Sequence, residues 1–296
     1  MIAPRSQRGV ALVMVLWIML LVTITTSAYT LMARMDSLEA HTVLWGTHAR
    51  LAAEAGLNMA VLSLRDPDEA ERWVADGRPY EIGYEGSLVE LRVTDERGKV
   101  NINTANETTL LQLFTANGLE QDQANLLAAA VLDWIDADEM VRPNGAEEGE
   151  YIAAGYQVGP ANRRFIMVEE LLQVLGLPWE LFQNMQPGLT VWSDQPLPDP
   201  AYAPAEALLA LPEMTEEDAL NFVQERHSHE DISEMNLALP GGQVAVARGQ
   251  GLTYSVVAKA TLPNGVWDQI EATIRLGGNQ DGYPFRILSW REGFHH

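Results

Sequence analysis

The sequence predicts an α+β protein: a long N-terminal helix packed on an antiparallel sheet, with a large all-α unit of helix-hairpin-helix type inserted into that sheet. Three observations predict it. An uncharged run from Val10 to Ala33 passes into a stretch of helical spacing that continues to Leu64. Two β-rich sections, at about 80–95 and 253–291, are each too short to make a sheet alone and so belong to one. The stretch between them, about Asn101 to Ala247, carries mostly helical signals. The chain accordingly divides into a basic head (1–9), a membrane helix (10–33), the first part of the body (34–100), the inserted helical unit (101–247) and the second part of the body (248–296).

The head, Arg5-Ser6-Gln7-Arg8-Gly9, precedes an apolar run of about 24 residues. At ~1.5 Å rise that run spans roughly 36 Å, enough to cross the ~30 Å hydrocarbon core of a bilayer. An ordinary secretory signal has a shorter apolar region followed by a small-residue cleavage site. Here the small-residue break, Gly9, lies before the run, so cleavage after it would remove the head and keep the helix. Read alone, the N-terminus also fits a plain signal anchor. Arg5 and Arg8 put the head in the cytoplasm and everything after about residue 34 outside, which in a double-membrane bacterium is the periplasm.

Leu38, Leu44, Leu51, Leu57, Val61 and Leu64 extend the helix until Asp66-Pro67 stops it. Tyr80–Tyr84 and Ser87–Asp95, with Leu88, Leu91 and Val93 among polar residues, read as a hairpin about Glu85-Gly86. Tyr254–Leu262, Val266–Leu276 and Phe285–Trp290 are further strands, the first two joined at Asn264-Gly265, a two-residue hairpin signal.

Within the insertion, Leu110-Leu111-Gln112-Leu113, a Gly118-Leu119 turn and an apolar helix from Ala124 to Ile135 form one helix hairpin, with Thr104 or Asn106 as its cap. Pro204–Pro212 followed by Glu216–Arg226 is a looser second copy. Such units bind DNA when glycine-rich turns present backbone amides to phosphates. These turns instead carry Glu120 and Asp122, or Glu213, Glu216, Glu217 and Asp218. The chain has 41 Asp+Glu against 19 Lys+Arg, a formal charge of -22. That field repels nucleic acid and attracts cations. Cysteine is absent, which excludes disulfides and thiolate metal sites. The histidines make no metal-ligand or catalytic pattern, and there is no nucleophile elbow or phosphate loop, so the sequence does not predict an enzyme. Trp134, Trp179 and Trp192 read as core or inter-element packing.

The densest chemistry lies between Asp133 and Tyr151: Asp133, Asp136 and Asp138, a Gly145 turn, then Glu147, Glu148 and Glu150. An oxygen-rich, irregular loop of this kind suits calcium, which accepts six to eight oxygen ligands in flexible geometry, better than magnesium. The spacing is not that of an EF-hand. The other reading is a solvated acidic loop at a helix C-terminus. Against it, carboxylates this dense repel one another and oppose the helix dipole, and a cation removes both penalties.

The N-terminus resembles the type III signal of prepilins and pseudopilins, cleaved after the glycine and methylated on the new terminus, here Val10. Most members of that superfamily carry glutamate at the fifth mature position, where this chain has Met14. Gly98–Ala105, Leu132–Asp138, Gly145–Tyr151 and Glu169–Gly176 resemble, in the same order, the type II secretion minor pseudopilin K family, in which an apolar fifth residue marks a fibre-tip subunit. The resemblance implies a pilin-like body with a calcium-binding helical insertion. It carries the ligands onto Asp133, Asp136, Asp138, Glu147, Glu148 and Glu150, with a carbonyl near Val141 or Tyr151 as a further candidate. It also implies inner-membrane anchoring, processing by prepilin peptidase, and assembly with minor pseudopilins I and J (and H) at the tip of a pseudopilus that exports folded proteins. The alternative is a minor pilin of a type IV pilus or competence system, from which the large insertion and the absent glutamate separate it.

Overall fold

The computed structural model describes residues 8–229, 237–242, 244, 245, 249, 251–277 and 282–293, with side chains from residue 11 onward. The first seven residues of the head, among them Arg5, lie outside the described residues. Helix α1 runs unbroken over Arg8–Leu64, 57 residues. Its hydroxyls at Thr23, Thr25, Thr26 and Thr30 each donate to a carbonyl one turn back, so the apolar segment leaves none of them seeking an outside partner. The first stretch of α1 is uncovered, and burial begins at Ala49.

From there Ala52, Ala53, Leu57, Ala60, Val61 and Leu64 pack on a sheet of five strands: β1 (Asp76–Tyr84), β2 (Ser87–Asp95), and three strands that follow the insertion. The insertion contributes β3 (Val100–Asn101), α2 (Glu107–Ala116), α3 (Gln121–Ile135), α4 (Glu148–Ala153), α5 (Trp179–Met185), β4 (Leu189–Thr190), α6 (Ala205–Leu208), α7 (Glu216–Ser228), β5 (Leu237–Ala238) and β6 (Val244–Ala245). The sheet then resumes with β7 (Thr253–Thr261), β8 (Trp267–Leu276) and β9 (Phe285–Glu292). Its order is β1-β2-β7-β8-β9, antiparallel throughout. Because β2 pairs directly with β7, Asp95 opposite Tyr254, the insertion leaves and re-enters between two bonded neighbours. Glycine lets α1 approach closely, since a Cβ on Gly56 would stand 2.7 Å from Val89 Cγ1.

Two cores result. One lies between α1 and the sheet, built on Val89, Leu91, Val93, Val256, Ile270 and Ile274. The other lies within the insertion, around Ile102, Leu113, Leu127, Trp134, Tyr202 and Leu208.

Several local expectations are corrected. Leu88 faces out at 46% exposure, while Val89 is fully buried, because a period of two fixed by Leu91 and Val93 admits only the odd position. The β7–β8 turn is not a two-residue one. Gly265 N donates to the Leu262 carbonyl, Pro263 and Asn264 fill the centre, and Gly265 takes the positive φ of 85°. Proline presets a type I turn at its own position, which leaves the left-handed residue to the glycine. Of the two caps expected for α2, Asn106 is the one that serves, accepting from Thr109 N. The second helix hairpin is abbreviated, with α6 only 4 residues long. The insertion also holds two short ladders, β3–β4 parallel and β5–β6 antiparallel.

Two aspartates at one end of the sheet clamp the insertion. Asp95 accepts from Arg97 N and Gly251 N, and Arg97 reaches on to the Gly249 carbonyl at 2.7 Å. Asp76, also buried, accepts from Arg78 N, Nε and Nη2. Fully buried Arg226 of α7 meets it, with Nη2 donating to the Asp76 carbonyl and Nη1 to the carbonyls of Pro200 and Ala203. Arg226 Nε lies 3.3 Å from Asp76 Oδ2 but has no hydrogen bond of its own. Burial pulls this guanidinium down to about 10.

His227 packs beside Asp76, Arg78 and Arg226, and burial lowers its pKa below the ordinary 6.5. The unfolded chain therefore binds the proton first as pH falls, and the fold loses stability below pH ~6.5. Thermal melts between pH 7.5 and 5 are expected to show this loss, and His227→Gln is expected to flatten the slope. An unchanged slope in the variant would clear His227 of any part in it.

Candidate metal centre

The acidic segment joins α3 to α4. Asp133, in the last turn of α3, is fully buried, because that face of the helix packs into the insertion core beside Trp134. Asp136 caps the helix C-terminus, and the loop then doubles back so that Arg142 and Gly145 lie against Asp133. A Cβ on Gly145 would stand 1.9 Å from Asp133 Oδ2, so only glycine lets the loop close over this carboxylate. Glu147 precedes α4 and its backbone N–H donates to Glu150 Oε2 at 3.0 Å.

The carboxylates are under-satisfied. Asp133 Oδ1, Asp136 Oδ1 and Glu147 Oε1 are buried without a hydrogen-bond partner, as is Asn162 Oδ1. Arg142 supplies the countercharge, its Nη2 donating to Asp136 Oδ2 at 2.8 Å. Its Nε comes within 3.0 Å of Asp133 Oδ1 without the direction a hydrogen bond needs. Desolvation pushes the Asp133 and Glu147 carboxyls above the ordinary range, and neighbouring charges (Asp136 for Asp133; Asp133, Asp136, Asp138 and Glu139 for Glu147) push the same way. A cavity of about 400 Å³ opens beside them, lined by Glu139, Glu147, Glu148, Val158, Pro160 and Asn162 among others.

Of the six carboxylates singled out in the sequence, Asp133, Asp136 and Glu147 thus turn orphaned oxygens into the interior. Glu148 lines the adjoining cavity, Glu150 serves the α4 cap, and Asp138 accepts from Met140 N on the exposed outer loop. Among the described residues no three His, Cys, Asp or Glu side chains are gathered closely enough to hold an ion as they stand. The donor set is nevertheless all oxygen, buried and lacking donors, which fits a hard cation. Sequence reasoning missed Arg142 and Asn162. Arg142 gave no signal because a basic residue within an acidic run reads as charge balance. Asn162, at φ 48°, reveals itself only through its left-handed backbone and its place in the cavity wall. Trp134 and Trp192 are buried and half-buried, but Trp179 is 57% exposed at the start of α5, a departure from the packing expected of it.

The remaining chemistry-bearing positions lie on α1. Met14 is 65% exposed along the apolar stretch, and Gly9 and Val10 fall in its first turn. This helix is long and apolar enough to cross a membrane, with a mean hydropathy of 2.2 over its most apolar window.

The family model described as "Type II secretion system (T2SS), protein K" matches residues 87–194, from β2 through the acidic loop to the end of β4 and just beyond. The chain is 31% identical over 217 residues to type II secretion system protein K of Klebsiella pneumoniae, covering 65% of each chain. It is 30% identical over 132 residues to the Pectobacterium carotovorum protein, covering 40% of each. With the Pseudomonas aeruginosa protein it shares 28% over 192 residues, 56% of this chain and 57% of that one. The matched stretches thus span less than two thirds of these relatives. Among solved structures, a chain in the crystal structure of the GspK-GspI-GspJ complex from the enterotoxigenic Escherichia coli type 2 secretion system superposes with a TM-score of 0.56 at 15% identity, covering 88% of this chain and 99% of that one. That likeness establishes the fold: a long N-terminal helix, an antiparallel sheet and further helices. Residues 87–194 thus carry the type II secretion system protein K domain, and over 65% of its length the chain is similar to a protein of that name.

Proposed function

We propose that this protein is a minor pseudopilin at the tip of a type II secretion pseudopilus. There it starts or caps a short fibre that drives folded proteins across the outer membrane, and it acts by assembly rather than catalysis. The observation that carries the reading is α1. A single helix packs on its sheet only from Ala49 onward and leaves an uncharged, apolar flank uncovered well before that, Ala11 through Ala33. Such a flank is soluble only in lipid or against other apolar helices. Subunits built this way rest in the inner membrane, with the remainder in the periplasm, until partner helices cover the flank.

Minor pseudopilins I and J are the proposed partners, in keeping with the complex in which the structural relative was crystallised, and H is proposed beside them on the sequence resemblance alone. Met14 supports the tip position: with no subunit above, no neighbouring amine requires a glutamate there. Calcium is proposed as a structural ion that neutralises buried negative charge. Asp133, Asp136 and Glu147 would hold it, with Asp138, Glu148 and Glu150 around them. Arg142, 46% exposed, would swing outward when the site fills.

Processing tests the class. Full-length protein made with a cognate prepilin peptidase is expected to lose residues 1–9 and gain one methyl on Val10, read by intact mass. An uncut chain would reduce the protein to one held by a plain signal anchor.

A further inference from the structure

The two edges of the five-stranded sheet are built differently. On β1, Pro79 has no N–H to offer and the register breaks between Asp76 and Pro79, both of which blunt an edge against further pairing. β9 runs through Phe285, Arg286, Ile287, Leu288, Ser289, Trp290, Arg291 and Glu292 with neither proline nor glycine. It pairs with β8 on one side, and among the described residues no backbone hydrogen bond reaches its other side. Ile287 is 48% exposed. Two of its charges are turned back into the protein: Arg291 pairs with Glu169 and Glu271, and Glu292 with Arg50. Arg286 stays exposed, and with a register shift at Leu288 it is what is left to guard the edge.

Behind this strand lies a second cavity, of about 420 Å³, between the outer face of the sheet and the insertion. Leu288, Val257 and Thr273 wall it on the sheet side, and Ile166, Met167 and Trp192 on the other. Its ionisable lining is already paired. Lys99 binds Glu96 at 2.7 Å, Glu96 also accepts from Ser255, and Arg291 bridges Glu169 and Glu271. No open charge therefore awaits a charged ligand, and the volume lies within the usual range for a binding cleft.

We propose that β9 is a docking edge for an extended segment of a different protein chain, which adds a sixth strand there and sets one uncharged aliphatic side chain into the cleft behind it. This mode draws affinity from main-chain hydrogen bonds and selectivity from the pocket. A second copy of this chain is the wrong occupant, because each copy carries a formal charge of -22 and two such bodies repel. The partner segment is accordingly neutral to basic.

The probe is a synthetic peptide, acetyl-Lys-Thr-Val-Thr-Leu-Thr-Val-Lys-amide, added to the full chain in detergent micelles and followed by hydrogen exchange. Protection confined to residues 285–292 is expected. Replacing the central Leu by Gly should weaken binding at least about tenfold, the scale of discrimination a hydrophobic pocket gives. Replacing the two Val by Pro should abolish it. Ile287→Lys, a change at an exposed position, should remove the protection without moving the melting temperature. Equal protection by the Pro peptide, protection elsewhere only, or concentration-dependent protection of β9 without peptide (a second copy) would each overturn the assignment.

Discussion

Asp76→Ala is expected to destabilise the protein by about 3–5 kcal/mol, the cost of leaving a buried cation uncompensated. Asp76 and Arg226 are both fully buried in their side chains, and Arg78 shares the same carboxylate, so the substitution strands two guanidiniums in one desolvated joint. Arg226→Met is expected to cost less, because Arg78 still neutralises Asp76 through its Nε and Nη2 contacts. What it loses is the donors to the carbonyls of Pro200, Ala203 and Asp76. The double variant should be more stable than the sum of the two single changes predicts, which is the signature of direct coupling. Urea unfolding of all four proteins measures this, and strict additivity would mean that the joint is held by packing alone.

The second large effect is that of calcium. Asp133 Oδ1, Asp136 Oδ1 and Glu147 Oε1 are buried without donors, and desolvation followed by mutual repulsion raises the Asp133 and Glu147 carboxyls. A cation binding only the folded state at about 100 times its Kd adds ~2.7 kcal/mol. For a chain of 296 residues that corresponds to a rise in Tm of roughly 4–5 °C. Chelator should reverse the rise. Asp133→Asn should remove the calcium response, and Asp138→Asn, on the exposed outer loop, should only weaken it. A melt indifferent to calcium and chelator alike would leave Arg142 as the sole countercharge of the loop.

What could be read in the sequence was what depends on near neighbours. The continuity of α1, the hairpin at Glu85-Gly86 and the strands β7 to β9 follow from local periodicity and turn chemistry. So does the choice of one interrupted sheet, which only required that neither β section suffice alone. The β3–β4 ladder was invisible, because Val100 and Asn101 meet Leu189 and Thr190 through two-residue pairings with no pattern of their own. The joint at Asp76 was equally hidden, since Arg226 lies 150 positions away and nothing local marks either residue. At the acidic loop the carboxylates stood out by density, but their division into inward and outward oxygens is set by the packing of α3. Leu88 and Val89 show the same limit on a small scale: both are apolar, and only the register decides which one enters the core.

The most direct test of the account is assembly. Full-length protein in detergent, mixed with equimolar I and J subunits of the same system and passed through size exclusion with light scattering, is expected to elute as a complex with one copy of each. Elution of the three as separate species, with α1 intact and the protein folded, would contradict the proposed place of this chain at the fibre tip.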